Sequence, residues 1–224
     1  IQGRENAHPQ KKELRSPFKG KAERVIRRLL LEPERRWKMR ELSQVAEVSL
    51  GMASMVTSSL AKLGVVSKTR AGVELFDPAG LLEAWSQNYD LRESAYRIYR
   101  SWRSVPELEA RLAELAPELG DRYALTLWSG ARQLLQLDEG TPHLALYWKG
   151  KADALAKKLG WREDRGKSYI FVFQPYDESL LWGSQELPSH LWVVHPIQLY
   201  LDLGSGDEAE LRLAQRVRAT LLPW

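Results

Sequence analysis

The stretch EVSLGMASMVTSSLAKLGVVSKTRAG, residues 47–72, decides the fold of the first part of the chain. It predicts a turn, a helix over about residues 51–63 that Gly64 ends, and a hairpin whose strands are VVSKTR and VELF. Before it, apolar periodicity predicts a helix over about residues 20–32, a short strand at RWKM and a second helix over about residues 40–47. This order is typical of a winged helix-turn-helix domain.

The third predicted helix has an apolar face and a nearly neutral polar face. Ala53, Val56 and Leu60 fall on the apolar face and are expected in the core. In a DNA groove, serine hydroxyls can contact base edges and methionine can pack against a thymine methyl group. The same neutral face also fits a winged helix that binds a protein, so an interaction module without DNA binding stays open. The outer face carries Met52, Ser54, Met55, Ser58, Ser59 and Lys62.

Positive charge lies on both sides of this helix. Basic side chains precede the second helix and stand on the predicted hairpin, where they can approach phosphates beside a groove-inserted helix. Gly51 would let the backbone come close to a phosphate at the helix N-terminus. The predicted DNA-binding residues are Arg36, Lys38, Arg40, Ser49, Gly51, Met52, Ser54, Met55, Ser58, Lys62, Lys68 and Arg70.

The charge distribution favours a polyanionic partner for the first part of the chain. Residues 1–103 contain 20 Lys and Arg against 12 Asp and Glu, whereas residues 104–224 contain 13 against 17. The absence of cysteine fits a reducing cytoplasm and excludes thiolate zinc sites and cysteine nucleophiles. The longest apolar runs, YALTLW and YIFVF, are too short to cross a bilayer, and the first residues lack the apolar segment of a secretory signal. We expect a cytoplasmic protein without membrane association.

We predict three segments and the fold class α+β. Residues 1–17 form a flexible N-terminal arm, residues 18–90 form the winged helix-turn-helix domain, and residues 91–224 form an α/β domain for a partner or effector. In this last segment predicted helices and strands alternate, while SAYRIYRSW fits either a strand or a helix.

Candidate catalytic and metal-binding residues are few. His143, His190 and His195 are dispersed without metal-ligand spacing, so we expect no metal and no cofactor. LWSGARQLLQLDEGTPHLALYW, residues 127–148, has the strand–helix–strand opening of a nucleotidyltransferase fold. Such enzymes hold metal ions with two carboxylates on the second strand, but here Asp138 and Glu139 lie in the loop before it. We therefore expect no catalysis, with nucleotidyl transfer as the enzymatic alternative.

Three C-terminal segments stand out: YALTLWSGARQLL, QPYDESLLWG and VVHPIQLYLDLGSGDEAELRLAQRVRATLLPW. With a winged helix before them, they resemble the AbiEi-type family, antitoxins and transcriptional regulators of type IV abortive-infection toxin–antitoxin systems. The resemblance implies an N-terminal domain that binds double-stranded DNA of its own promoter and represses it. It also implies a C-terminal domain of nucleotidyltransferase-like shape without activity. The implied functional partner is a nucleotidyltransferase toxin, opposed without a lasting complex, and a homodimer stays open.

Overall fold

The computed structural model describes residues 16–138, 140 and 143–224, so most of the predicted N-terminal arm lies outside the described residues. The chain divides into two compact units, one up to Leu81 and one from Leu82 onward, whereas the sequence pattern places the domain boundary after residue 90. Helices and strands occur in both units, which confirms the predicted mixture of α and β structure.

The described part of the first unit contains three helices, a hairpin and the start of a fourth helix. β1 and β2 pair antiparallel, and Trp37 adds a one-residue bridge to Val73 on the other edge of β2. The predicted helices and hairpin are therefore observed in the predicted order, while the predicted short strand RWKM is reduced to the single bridge at Trp37. The elements are α1 (Ala22–Leu31), α2 (Met39–Val45), α3 (Leu50–Lys62), β1 (Val66–Lys68), β2 (Val73–Leu75) and α4 (Pro78–Ser86).

The predicted apolar residues of α1 and α3 are buried, and α1 also buries Arg24 and Arg27 of its opposite face. Val45, the last residue of α2, is only half-buried, because the helix ends there and the turn begins. At α4, the Asp77 side chain caps the helix start, with its Oδ1 accepting a hydrogen bond from Gly80 N (2.8 Å). The fully buried core residues include Val25, Ile26, Leu29, Trp37, Leu42, Ala46, Ala53, Val56 and Leu60.

The second unit is built around a six-stranded mixed sheet with the spatial order β3-β6-β5-β4-β8-β7. β5 and β6 run parallel, as do β4 and β8, and the other neighbours are antiparallel. SAYRIYRSW, which the sequence left undecided, forms strand β3. The strands are β3 (Tyr96–Ser101), β4 (Tyr123–Leu125), β5 (His143–Trp148), β6 (Ser168–Phe173), β7 (Gln185–Glu186) and β8 (Trp192–Val193).

Helices cover this sheet and complete its core. Leu108 and Leu112 of α5 and Leu155 and Leu159 of α7 join alternating strand residues in one hydrophobic cluster. α6, α8 and α9 pack against one another. The described part of the chain contains no helix with the length and apolar character that crossing a bilayer requires. The helices are α5 (Val105–Leu119), α6 (Leu127–Leu135), α7 (Ala152–Leu159), α8 (Pro196–Gly204) and α9 (Glu208–Leu221).

Candidate nucleic-acid interface

Helix α3 begins at a side-chain cap, and α1 holds the turn that precedes it. The Ser49 hydroxyl accepts a hydrogen bond from Met52 N (3.2 Å), which satisfies one of the free N–H groups at the helix start. In the turn, Glu47 has a φ of 52° and forms an ion pair with Arg24 of α1 (2.6 Å). Arg28 Nε donates to the Val45 carbonyl (3.0 Å). These contacts orient α3, and the sequence prediction did not include them.

The side chains of α3 separate into a buried face and an accessible face. Ala53, Val56 and Leu60 are fully buried, which confirms the predicted inner face. Met55 is 40% exposed, so a large apolar side chain points to solvent at the middle of the helix. The accessible face, which carries the predicted base-contacting side chains, consists of Met52, Ser54, Met55, Ser58, Ser59 and Lys62.

Lys68 of the hairpin bonds to two serines of this accessible face. Its Nζ donates to the Ser54 carbonyl (2.9 Å), to Ser54 Oγ (3.0 Å) and to Ser58 Oγ (2.8 Å). The Ser58 hydroxyl in turn donates to the Ser54 carbonyl (2.8 Å). Partial burial lowers the pKa of the Lys68 ammonium below its ordinary value. The sequence prediction treats the lysine as a phosphate contact and the serines as base contacts, whereas here all three form one hydrogen-bonded group.

The other predicted basic residues fall into two classes. Lys38 Nζ donates to the Ala71 carbonyl at the hairpin tip (2.8 Å), and Arg36 forms an ion pair with Glu74 of β2. Both therefore brace the hairpin. The remaining three have exposed side chains without a hydrogen bond or ion pair to any residue that the structure describes. These are Arg40, Lys62 and Arg70.

Two glycines of this region differ in what the fold demands of them. Gly72 has a φ of +147°, and a Cβ there would lie 2.6 Å from the Trp37 carbonyl oxygen, so the bridge between Trp37 and Val73 requires glycine. Around Gly51, the nearest atom to an added Cβ is Ser49 Oγ at 3.9 Å. The fold tolerates a side chain at Gly51, which is exposed beside the N-terminus of α3.

A buried polar network occupies the centre of the second unit. Asp202 of α8 is fully buried, and its Oδ1 accepts hydrogen bonds from Tyr89 Oη (2.7 Å), Tyr147 Oη (2.9 Å) and Gln198 Nε2 (2.6 Å). The Thr126 hydroxyl donates to Oδ2. Burial raises the pKa of Asp202, and the four donors oppose that rise. The sequence prediction missed this network, although Gln198 and Asp202, four residues apart in the apolar helix PIQLYLDL, were a signal for it.

The residues considered for catalysis are dispersed. Asp138 is exposed after α6, β5 carries no carboxylate, and Glu139 lies outside the described residues. Within the described ranges, no three His, Asp or Glu side chains come together as a candidate metal site. His195 instead serves the start of α8, where its Nδ1 accepts a hydrogen bond from Ile197 N (3.2 Å).

Residues 74–222 match the family described as transcriptional regulator, AbiEi antitoxin, type IV TA system. The matched range begins in β2, contains the whole Asp202 network, and leaves α1, α2 and α3 outside. Searches among curated proteins and among solved structures found no match. Because the match covers well over half of the chain, this protein belongs to the AbiEi antitoxin family, the transcriptional regulators of type IV toxin–antitoxin systems.

Proposed function

We propose that the first unit is a winged helix-turn-helix domain that binds double-stranded DNA sequence-specifically, and that the protein represses its own promoter in this way. The observation that carries the proposal is the accessible face of α3 with three exposed cations beside it. Arg40, Lys62 and Arg70 have no partner within the described residues, so their charge is free to attract phosphates. Membership of a family of transcriptional regulators supports the same assignment.

In this proposal the two kinds of contact have different tasks. Arg40 and Arg70, together with the open N-terminus of α3 at Gly51, hold the backbone of the duplex. Met55 and the serine hydroxyls meet the base edges in the major groove, where they sense thymine methyl groups and hydrogen-bonding atoms. The phosphate contacts set affinity and its salt dependence, while the base contacts set sequence preference.

For the second unit we propose a nucleotidyltransferase-like shape without nucleotidyl transfer, serving an antitoxin role against a nucleotidyltransferase toxin. The alternation of α5, β4, α6, β5, α7 and β6 supports the shape. β5 presents no carboxylate where such an enzyme would hold metal ions, which supports the lack of transfer. Incubation with labelled nucleoside triphosphates and magnesium tests this. Robust transfer that disappears in Asp138→Ala would overturn it.

The DNA-binding proposal is tested by fluorescence anisotropy with a labelled duplex from upstream of the protein's own gene and a scrambled duplex. We expect affinity for both to fall steeply with salt. Arg70→Ala should weaken both duplexes about equally and reduce the salt slope by about one. Ser58→Ala should instead change the ratio of the two affinities. Arg111→Ala is the control, since Arg111 is an exposed arginine of the second unit that pairs with Glu114.

Two results would speak against duplex binding. One is no binding of either duplex at low salt, and the other is binding that Arg70→Ala and Arg40→Ala leave unchanged. A folded chain that gives either result would be better explained as a protein-interaction module, which the nearly neutral accessible face of α3 also fits.

A further inference from the structure

An exposed tryptophan among four arginines lies at the end of strand β3, in the second unit. Trp102 is 66% exposed, although tryptophan is the side chain with the most to gain from burial. Around it, Arg100, Arg103, Arg162 and Arg165 line a shallow hollow of about 320 Å³. That volume is within the range of roughly 300–1,000 Å³ that small-molecule sites occupy. We call these five residues the arginine–tryptophan cluster.

The cluster is assembled from two distant chain segments by backbone contacts. Arg100 and Arg162 exchange backbone hydrogen bonds, and Lys167 N donates to the Ser101 carbonyl (2.8 Å). Gly166, with a φ of +146°, makes the close approach feasible, since a Cβ there would lie 2.5 Å from Ser101 N. The fold thus presses the loop before β6 against the end of β3 and brings the arginines of both segments together.

The positive charge of the cluster is local and only partly compensated by carboxylates. From residue 82 onward the chain has 17 Lys and Arg against 20 Asp and Glu, so the cluster does not follow from a generally basic unit. Arg100, Arg103 and Arg162 form no ion pair with the described residues, and Arg165 pairs only with its neighbour Asp164 (3.4 Å). Adjacent guanidinium groups repel one another, and a bound anion would relieve that repulsion.

One carboxylate of the hollow is hydrogen-bonded to the start of a helix. Glu107 also lines the hollow, but it accepts hydrogen bonds from Ser104 N (2.6 Å) and Ser104 Oγ (2.7 Å). These bonds form the capping box at the start of α5. The same carboxylate also attracts Arg103, which helps to lower the pKa of Glu107, so it offsets one of the four arginine charges and leaves the hollow positive.

The aromatic groups indicate what kind of anion fits. The Arg100 guanidinium lies over the Tyr169 ring (4.5 Å to the centroid) and donates to Tyr169 Oη (3.0 Å), so this arginine is held in place. Trp102 keeps most of its surface in solvent. An exposed ring can stack on an unpaired base, whereas the bases of a duplex are already stacked on one another. We propose that the arginine–tryptophan cluster binds single-stranded nucleic acid, with the arginines at phosphates and Trp102 stacked on a base.

The test uses the full chain carrying Arg40→Ala and Arg70→Ala, so that the proposed duplex surface contributes little. Anisotropy is measured with labelled oligonucleotides of about 12 nucleotides, a length within the usual site size. One is single-stranded RNA, one is single-stranded DNA of the same sequence, and one is the DNA duplex.

Trp102→Ala should weaken single-strand binding about fivefold or more, and Trp102→Phe should retain most of it. Arg103→Ala should weaken binding and lower its salt slope, while the control Arg111→Ala should change neither.

Three results would overturn the proposal. In the first, Trp102→Ala leaves single-strand binding unchanged. In the second, the duplex binds as tightly as the single strands and depends on Arg103 to the same degree. In the third, the same concentration of polyglutamate displaces the strands from the Arg40→Ala, Arg70→Ala chain with and without Trp102→Ala, which indicates an acidic protein partner. A preference for RNA or for DNA shows whether the site favours strands with ribose or with deoxyribose, and either preference supports the proposal. Since Trp102 and Arg103 lie outside the first unit, a failure here leaves the duplex-binding result standing, and the converse holds as well.

Discussion

At the scale of single residues, Lys68 links the helix that would contact bases to the hairpin that would contact phosphates. Its ammonium group uses the hydroxyl oxygens of Ser54 and Ser58 as acceptors. The Ser58 proton is already donated to its own helix. In the free protein Lys68 thus occupies one acceptor site on each serine hydroxyl, so a base must compete with Lys68 or use the sites that remain.

This coupling predicts that Lys68→Ala and Arg70→Ala affect duplex binding differently. Arg70→Ala removes a free cation and should leave the ratio of affinities for the upstream and scrambled duplexes unchanged. Lys68→Ala releases both serines, so it should change that ratio by about 1 kcal/mol, the low end for a good base contact. Anisotropy titrations at one salt concentration measure both. If Lys68→Ala weakens the two duplexes equally, the lysine acts as an ordinary phosphate contact.

At the scale of elements, two glycines of the first unit occupy positions with different steric demands, one at the start of α3 and one in the hairpin. Ser49 caps the helix, and Gly51 adds no side chain above it. At the hairpin, by contrast, Gly72 is required by the backbone of Trp37. Gly72 is thus required by the fold, while Gly51 leaves space beside the free N–H groups at the N-terminus of α3.

The contrast predicts opposite effects of two glycine substitutions. Gly51→Ala should preserve stability or raise it by up to about 1 kcal/mol, since alanine is the better helix former. It should nevertheless weaken duplex binding, because the added methyl group separates the helix N-terminus from a phosphate. Gly72→Ala should lower stability through the contact with Trp37. Urea unfolding measures the stability of both variants, and fluorescence anisotropy measures their affinity for the duplex. Full duplex affinity in Gly51→Ala would contradict the proposed approach of the backbone.

Local pattern predicted most elements and missed the shortest. The apolar spacing of α1, α3 and α5 extends over several turns, which is enough to indicate a helix without tertiary information. β7 and β8 have two residues each, so no alternation can develop in them. SAYRIYRSW became a strand because β6 pairs with it from Tyr96 to Ser101, and that pairing is not encoded within the segment itself.

At the scale of the whole molecule, hydrogen bonds to Asp202 connect four segments of the second unit. Its donors come from α8, from the residue after β4, from β5 and from the segment after α4. Because the carboxylate is fully buried, its solvation is supplied by these groups alone among the described residues. A carboxyl with a raised folded pKa stabilises the fold fully below its unfolded pKa, and this contribution is lost as pH rises through the folded pKa.

Removal of one donor should therefore cost more when Asp202 is ionised. Thr126→Val keeps the shape of a fully buried side chain but leaves Oδ2 without its donor, so we expect a loss of about 1–3 kcal/mol at a pH where Asp202 is ionised. At about pH 4, near the ordinary pKa of aspartate, the loss should be smaller. Tyr147→Phe is the matched control, since Oδ1 retains Tyr89 and Gln198 as donors and should lose less. Urea unfolding over a series of pH values from about 4 upward measures the loss, and a loss for Thr126→Val that stays the same across the series would contradict the argument.

The sequence by itself determined the order of the elements, the buried face of each helix, the basic character of the first unit and the resemblance to the AbiEi family. These properties depend on spacing and composition along the chain. The tertiary structure alone decided the partners of the polar groups. It placed Lys68 on Ser54 and Ser58, joined Tyr89 to Asp202 across 113 positions, and brought the Arg162 segment against Arg100. A hydrogen bond or a cluster of like charges depends on distances of a few ångströms between segments, and the packed core sets those distances.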